Sequence, residues 1–373
     1  MMDICTDITT DAGFNQRLGS MGRTPLSMSL ELTERCNLNC QHCYINLPAN
    51  HQSARERELT TAECKRLFDE MADAGTLNLL LTGGEIMLRR DFEDLYLYAR
   101  NKGFVLTIYS NATMITPKRA AFLAQYPPYL VEVTLYGATK DVYERVTRVP
   151  GSHAKCMEGL RLLHDYGIPV TLKTVLLNIN SHELLDMKQI ATDYGWDFRY
   201  DGMIHPRLNG DRHPITLRLT AEELIAVEKL DLQRFEEWQD FCDGTLGHRV
   251  KGGDKMFGCG AAKQSAHVDA YGMISPCMIT RNRAVDWRES DLDTLWHGYL
   301  ADVRETENSE TTACHSCDLA MVCTNCAGWS TLERGTLEHR PIEWVCDTSK
   351  ARVAAFASNA AKWLDNAVCL EVK

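Results

Sequence analysis

No run in this 373-residue sequence approaches the length of a membrane-spanning helix, which excludes an integral helical membrane protein. The opening MMDICTDITTD is acidic and lacks an apolar core segment, so it is not a secretory signal. Positive charge is in deficit as well. The net charge is -11 and the pI near 5.6, whereas phosphate-binding surfaces are built from clustered Lys and Arg, so no nucleic-acid partner is expected. No Ser-His-Asp arrangement, phosphate-binding glycine loop, HExxH pair, internal repeat or low-complexity segment is discernible. Disorder is not indicated either: 45% of residues are hydrophobic and 24% charged, in a chain long enough for one large domain and a smaller one.

What abounds is cysteine. Fifteen cysteines without an export signal read as ligands in a reducing compartment rather than as disulfides, so the expected location is cytoplasmic. The densest group lies in ERCNLNCQHCY, where Cys36, Cys40 and Cys43 are separated by three and then two residues. Thiolates at such spacing suit zinc or an iron–sulfur cluster. A structural zinc site wants a fourth ligand, and His42 lies directly beside Cys43, where it would strain a tetrahedral chelate. Three cysteines on a [4Fe–4S] cubane instead leave one iron without a protein ligand. An open metal position is a catalytic arrangement.

From about residue 26 to 204, apolar strand-like runs alternate with helical patterns. The strand candidates are 26–32, 77–83, 104–110, 130–137, 169–177 and 197–204, with the β-branched and apolar density of strands buried on both faces. Thr116-Pro117 reads as N-cap and first helical residue, Ser181 opens SHELLDMKQIATDY, and Thr220 with Glu223 makes a capping box. Alternation of this kind predicts an α/β fold with a parallel sheet, a partial (β/α)6 barrel. The cysteine trio follows the first strand, which places it at the C-terminal mouth of that barrel, where such folds keep their chemistry. After about residue 245 helical periodicity fades, and cysteine, glycine and short polar segments take over. The expected division is an N-terminal extension over 1–25, a barrel over 26–240 and a cysteine-rich domain with a C-terminal helix over 241–373.

CxxxCxxC after a first strand, in a chain of βα units, resembles the radical S-adenosylmethionine (SAM) enzymes. Gly83-Gly84-Glu85 at the end of the second strand resembles the family's GGE motif, whose backbone and carboxylate hold the SAM amino group. Ser110-Asn111 at the end of the third strand matches the ribose-contacting position, and His42 and Tyr44 bracket Cys43 where the family places a residue near the adenine. Ile86 stands where many members have proline. The resemblance covers roughly residues 26–210. It implies SAM on the open iron, reductive cleavage to methionine and a 5′-deoxyadenosyl radical, and hydrogen abstraction from a substrate. It also implies an electron donor such as flavodoxin or ferredoxin.

The tail array runs Cys259, Gly272, Cys277, then Cys314-x2-Cys317-x5-Cys323-x2-Cys326, and closes with Cys346. This resembles the SPASM extension of peptide-modifying radical SAM enzymes, which holds two auxiliary [4Fe–4S] clusters; the last short gap is two residues where the common pattern has three. By that resemblance Cys259, Cys277 and Cys326 hold the first auxiliary cluster, and Cys314, Cys317, Cys323 and Cys346 the second. For the missing ligand of the first, Cys242 is the expectation, with another residue or an open iron as alternatives. Zinc bracing the tail, with His315 and His339 joining, is the alternative reading of the same array. Cys64 and Cys156 fall in helical patterns and read as buried residues, while Cys5 and Cys369 carry no role.

Arg145 is a candidate for the SAM or a substrate carboxylate, against a solvated helix charge. Lys173 is an unusual charge within a strand, either lumen-facing or near the rim, and His205 and Arg207 are candidates to line the mouth. The tail points to a peptide or protein substrate, and the alternative is the same radical chemistry on a small molecule or cofactor precursor. A zinc-stabilised binding module without turnover is the remaining reading. The roughly twenty-five residues before the first strand are too few for a winged leader-binding domain, so a separate leader-binding protein, or the barrel mouth itself, is expected to recognise the peptide.

Overall fold

The computed structural model describes residues 22–45, 47–246, 255–307, 314, 317–335 and 340–364. Cys5, His315, His339, Cys369 and most of the 1–25 extension lie outside the described residues.

All six predicted strands form, with β1 at Ser27–Thr33, a short pair β2 at Arg35–Cys36 and β3 at Leu47–Pro48, then β4 at Asn78–Gly83, β5 at Val105–Ser110, β6 at Leu130–Thr134, β7 at Val170–Val175 and β8 at Asp197–Asp201. They pair in parallel in the order β1-β4-β5-β6-β7-β8, the succession expected of consecutive βα units. Three tail strands, β9 at Ser265–Val268, β10 at Met273–Ser275 and β11 at Val285–Asp286, extend the same sheet beyond β1. Strand β9 runs parallel to β1, with Ser29 opposite His267, and the next two are antiparallel. The cysteine-rich region is therefore stitched into the barrel sheet at its first strand.

Each strand sends one set of alternate residues to the helical layer. Met28, Leu30 and Leu32 of β1, Leu79 and Leu81 of β4, and Leu106 and Ile108 of β5 join Leu67, Phe68, Tyr96 and Leu160 from the helices in one large buried cluster. Burying side chains of this size contributes about 1.5–3 kcal/mol apiece. The opposite set, which includes Ser29, Glu31, Glu132, Lys173 and Arg199, faces the inside, so the lumen is polar where a closed (β/α)8 barrel would be filled by branched aliphatics.

The capping signals hold at Thr116, whose hydroxyl accepts from the Arg119 N–H with Pro117 at the first turn, and at the Thr220–Glu223 capping box. Ser181 departs from expectation. It lies in a 3-10 turn, Ser181–Glu183, and the α-helix begins at Leu184. Within that turn the Glu183 carboxylate accepts from the Ala138 and Thr139 N–H groups and the Thr139 hydroxyl. The tail also keeps more helix than its faint periodicity suggested, notably Ala327–Arg334 and Glu343–Phe356.

Helix Ser152–Asp165 approaches the loop after β5 so closely that a Cβ on Gly159 would collide with the Ala112 carbonyl. Ala112 itself holds a left-handed φ of 59°. Gly159→Ala is expected to cost about 1–3 kcal/mol by overpacking, read as a lowered midpoint of chemical denaturation; an unchanged midpoint would mean that this approach is not made.

Candidate active site

The site begins where β1 ends. Arg35 is held by a two-pronged pair with Glu58, at 2.7 and 3.0 Å, and donates to the Ala49 carbonyl at 3.0 Å. Cys36 pairs across to Pro48, closing the cysteine loop at its base. The loop is then tied to the end of helix Lys140–Thr147: the Asn39 and Gln41 N–H groups donate to the Thr147 and Val146 carbonyls at 3.0 Å each, and the Gln41 amide to the Arg145 carbonyl at 2.9 Å.

The two glycines of the GGE motif serve this loop directly. Gly83 has φ +128°, and a Cβ there would strike the Thr33 carbonyl, while one on Gly84 would strike the Arg35 carbonyl. Their absence lets the Gly84 N–H reach the Thr33 carbonyl at 2.8 Å and the Glu85 N–H the Arg35 carbonyl at 2.9 Å. Glu85, fully buried, then accepts from the Ser110 hydroxyl, the Asn111 N–H at 2.9 Å and the Met87 N–H at 3.2 Å. Burial pushes its carboxyl up, and these donors oppose the shift. Asn111 in turn directs its amide N–H at the Cys36 sulfur, 3.6 Å away, which also accepts from the Leu38 N–H at 3.4 Å.

Those two donors suit a thiolate sulfur. Without a cation, burial holds the Cys36 thiol at about 12 and Cys40 well above its ordinary value, and each of the three thiols lies close enough to act on its neighbours. A metal centre that deprotonates its thiol ligands supplies the missing positive charge. The residues present therefore fit an iron–sulfur cluster. The His42 Nδ1 is buried without a hydrogen-bond partner, the imidazole is lowered to about 4 by burial, and its ring lies edge-on to Tyr136 at 5.0 Å. The Tyr44 hydroxyl donates to Glu31 at 3.0 Å, and its ring meets His205 at 6.4 Å. His205 also reaches Trp329 of the tail, 6.3 Å between rings, and Arg207 donates to the Gln41 carbonyl at 3.2 Å, so both line the junction of loop and tail.

Two expected site residues are not brought to the site. The Arg145 side chain is exposed and makes no ion pair among the described residues; what meets the cysteine loop is its carbonyl. Cys242 is fully buried in an apolar cluster with Ile225, Leu246, Val322, Val353 and Phe356. Its thiol is pushed up to about 11 by burial, and the charges acting on it are Asp243, Arg352 and Glu228, none of them a cysteine. Its place upstream of Cys259 made it the candidate ligand, but the helix that carries it, Leu232–Thr245, turns it into the core.

The other tail cysteines do gather. Cys277, held at about 12 by burial, is acted on by Cys326 and Cys259, and Cys326 by Cys259 and Cys323. Asn325 donates its N–H to the Cys323 sulfur at 3.5 Å and its amide to that of Cys314 at 3.6 Å, while the Cys317 N–H donates to the Cys314 carbonyl at 3.4 Å and Cys346 is buried in helix Glu343–Phe356. Among the described residues no three His, Cys, Asp or Glu side chains form a single-ion site.

Two charged networks in the lumen went unpredicted. Arg281 reaches Glu31 at 2.6 Å and also pairs with Glu34, which accepts from the Tyr271 hydroxyl at 2.7 Å. Burial raises Glu31 to about 7, and it lowers His267, whose Nε2 lies 3.7 Å from Glu31, to about 3. Across the barrel, Glu132 accepts from Lys173 at 2.9 Å and from Arg199, which also donates to the Tyr109 hydroxyl at 3.1 Å. Lys173 thus faces the lumen, and burial lowers its amine to about 7. The signal for these residues was charge at alternate positions inside apolar strands.

The radical SAM superfamily description matches residues 30–191. The chain carries a radical SAM domain. It is similar to the AdoMet-dependent heme synthase of Methanosarcina barkeri, 24% identical over 82% of this chain and 92% of that one, and to the PqqA peptide cyclase of Rhodopseudomonas palustris, 29% identical over 76% and 79%. In structure it is similar to Streptococcus suis SuiB bound to its precursor peptide SuiA, with a TM-score of 0.68 at 15% identity over 87% of this chain and 76% of SuiB. Members of this superfamily bind a [4Fe–4S] cluster and SAM, and the cysteine-rich C-terminal region is consistent with a SPASM-type domain. Among the described residues no helix is long and apolar enough to cross a membrane.

The lumen amine gives a pH test. Because Lys173 sits at about 7 against 10.5 for an exposed lysine, the folded protein binds fewer protons than the unfolded one between those values, and stability rises with pH across that interval. The melting-temperature advantage of wild type over Lys173→Met is expected to grow from about pH 7 to about pH 9; a constant difference would contradict the lowered value.

Proposed function

We propose that this radical SAM enzyme modifies a peptide or protein substrate by abstracting hydrogen from a side chain or α-carbon, in a crosslinking or oxidation reaction. The observation that carries the reading is the convergence of three successive strand ends on one thiol pocket: Cys36 after β1, Glu85 after β4 and Ser110-Asn111 at β5. Cys36, Cys40 and Cys43 would hold the cluster, with its fourth iron left for SAM. Gly83, Gly84, Glu85, Ser110, Asn111, His42 and Tyr44 would line the SAM site. When bound, cluster and SAM supply reductive cleavage to a 5′-deoxyadenosyl radical.

The chain's own residues orient and exclude. Asn111 and the Leu38 N–H donate to the Cys36 sulfur and fix the loop's first ligand, as outer hydrogen bonds do for metal ligands generally. Glu85 ties the ends of β4 and β5 into one rim. In the tail, Cys259, Cys277 and Cys326 would hold one auxiliary cluster and Cys314, Cys317, Cys323 and Cys346 a second, within a region running from about residue 241. A peptide substrate is supported by the similarity to PqqA peptide cyclase across most of both chains. A flavodoxin or ferredoxin would deliver the electron, a separate leader-binding protein would present the peptide, and the setting would be the cytoplasm. The similarity to a heme synthase over 82% of the chain favours, as a second reading, the same chemistry on a small molecule.

Protein purified without oxygen is expected to hold about twelve iron atoms per chain, four for each of three clusters, and zinc without iron would overturn the reading. Replacing Cys36, Cys40 and Cys43 by Ala is expected to abolish SAM cleavage. Incubation with SAM, a strong reductant and short peptides encoded beside the gene is expected to remove hydrogen from a peptide by mass; product from a metabolite alone would establish the second reading instead.

A further inference from the structure

The outer face of the cysteine loop carries a basic rim on a chain whose net charge is -11. Arg145 and Arg148, both exposed, flank Gln41, which sits between the second and third cysteines. The Gln41 amide donates to the Arg145 carbonyl at 2.9 Å, and the Arg148 guanidinium donates to the Gln41 carbonyl oxygen of its side chain at 2.8 Å. Arg212, also exposed, continues the rim through His213, whose Nε2 lies 3.4 Å from Arg148. None of these three arginines has a carboxylate partner among the described residues. Of the carboxylates nearest along the chain, Glu144 accepts from the Gly151 N–H, Asp211 pairs with Arg207, and Asp141, one turn before Arg145, makes no ion pair with it.

Arg148 is also out of place by local preference. It ends helix Lys140–Thr147 with φ 54° and ψ 26°, the left-handed conformation in which glycine is the ordinary residue. An arginine held there keeps a charge against the loop at the expense of the easier backbone. Strain of this kind concentrates where function over-determines a residue.

We propose that this rim is the docking surface for an acidic one-electron carrier protein, which passes its electron to the cluster through the cysteine loop. The inference rests on the cluster reading given above and adds where the carrier sits. In the step itself the carrier's reduced cofactor loses one electron and the cluster held by Cys36, Cys40 and Cys43 gains it; no bond forms or breaks. Opposite charge on a rim mainly accelerates encounter and orients it, and salt weakens it.

The test uses the reconstituted full-length enzyme and a bacterial flavodoxin. Calorimetric titration with oxidised flavodoxin at low salt is expected to show binding that falls by about tenfold or more in Arg145→Glu/Arg148→Glu, and that raised salt weakens in wild type. The milder Arg145→Gln/Arg148→Gln variant is expected to fall between the two. SAM cleavage driven by flavodoxin should fall with the affinity and by a larger factor than cleavage driven by dithionite, which measures the effect of losing the Arg148–Gln41 hydrogen bond alone. Flavodoxin affinity unchanged in both variants would overturn the docking site. A wild-type enzyme inert with dithionite would overturn the cluster reading instead, and the titration would still decide the docking.

Discussion

The constraint on which the site depends is a backbone approach with no room for side chains. Gly83 and Gly84 lie against the Thr33 and Arg35 carbonyls, and two N–H groups of the GGE segment complete hydrogen bonds there. This contact joins the end of β4 to the start of the cysteine loop. It sets Glu85 beside Ser110 and Asn111, and Asn111 beside Cys36. A side chain at either glycine would push the loop away from the strand end and, with it, the ligand from its hydrogen-bond donors. The motif is thus first a packing device, and its capacity to present a carboxylate near a co-substrate follows from the packing.

Desolvation explains why such a pocket wants a metal. Cys36 and Cys40 are held in their protonated forms first by burial and then by nearby negative charge, from Glu85 and Cys43 at Cys36 and from Cys43 and Cys36 at Cys40. Exposed thiols would ionise more readily but would also meet oxidants. A trio with Cys40 buried, Cys36 and Cys43 half-buried and two N–H donors at Cys36 becomes favourable once a cationic centre neutralises it, which would couple cluster assembly to the loop's final geometry. The tail follows the same rule at Cys277 and Cys326, whose surroundings disfavour free thiolates and whose nearest ionisable neighbours are other cysteines.

Much of this was legible in the sequence because it rests on local signals. The six strands are dense apolar runs bounded by turn chemistry, and the cysteine and GGE spacings place their residues at strand ends. What was not legible depended on contacts far apart in the chain. Arg145 reads as a candidate carboxylate partner because it is an arginine in the segment that follows the fourth predicted strand, yet the helix turns its guanidinium outward and offers the loop a carbonyl. Cys242 reads as an upstream ligand by its place in the chain, but the amphipathic helix that carries it buries that face against helix Glu343–Phe356. Ser181 has the side chain of an N-cap, but it opens a 3-10 turn and the α-helix begins at Leu184. No periodicity announces that β9 will pair with β1 across some 240 residues.

That pairing has a consequence for the barrel interior. Glu31 is wholly buried in β1, and its charge is met there by Arg281 of the tail and by the Tyr44 hydroxyl, while the neutral His267 ring packs beside it. Removing one partner of a buried pair leaves a charge without compensation, which costs more than the pair contributes. The barrel's first strand is therefore incomplete without the tail, and the tail's Arg281, four residues beyond Cys277, is anchored by the barrel. A second buried pair, Arg352 with Glu228 at 2.7 Å, fastens the helix that carries Cys346 to helix Ala221–Leu230. Both candidate auxiliary sites are thus tied by charge to the body that holds the cysteine trio. Motion of either relative to the barrel would have to break a buried ion pair, so the spacing between the thiol groups is set by electrostatics as well as by chain connectivity.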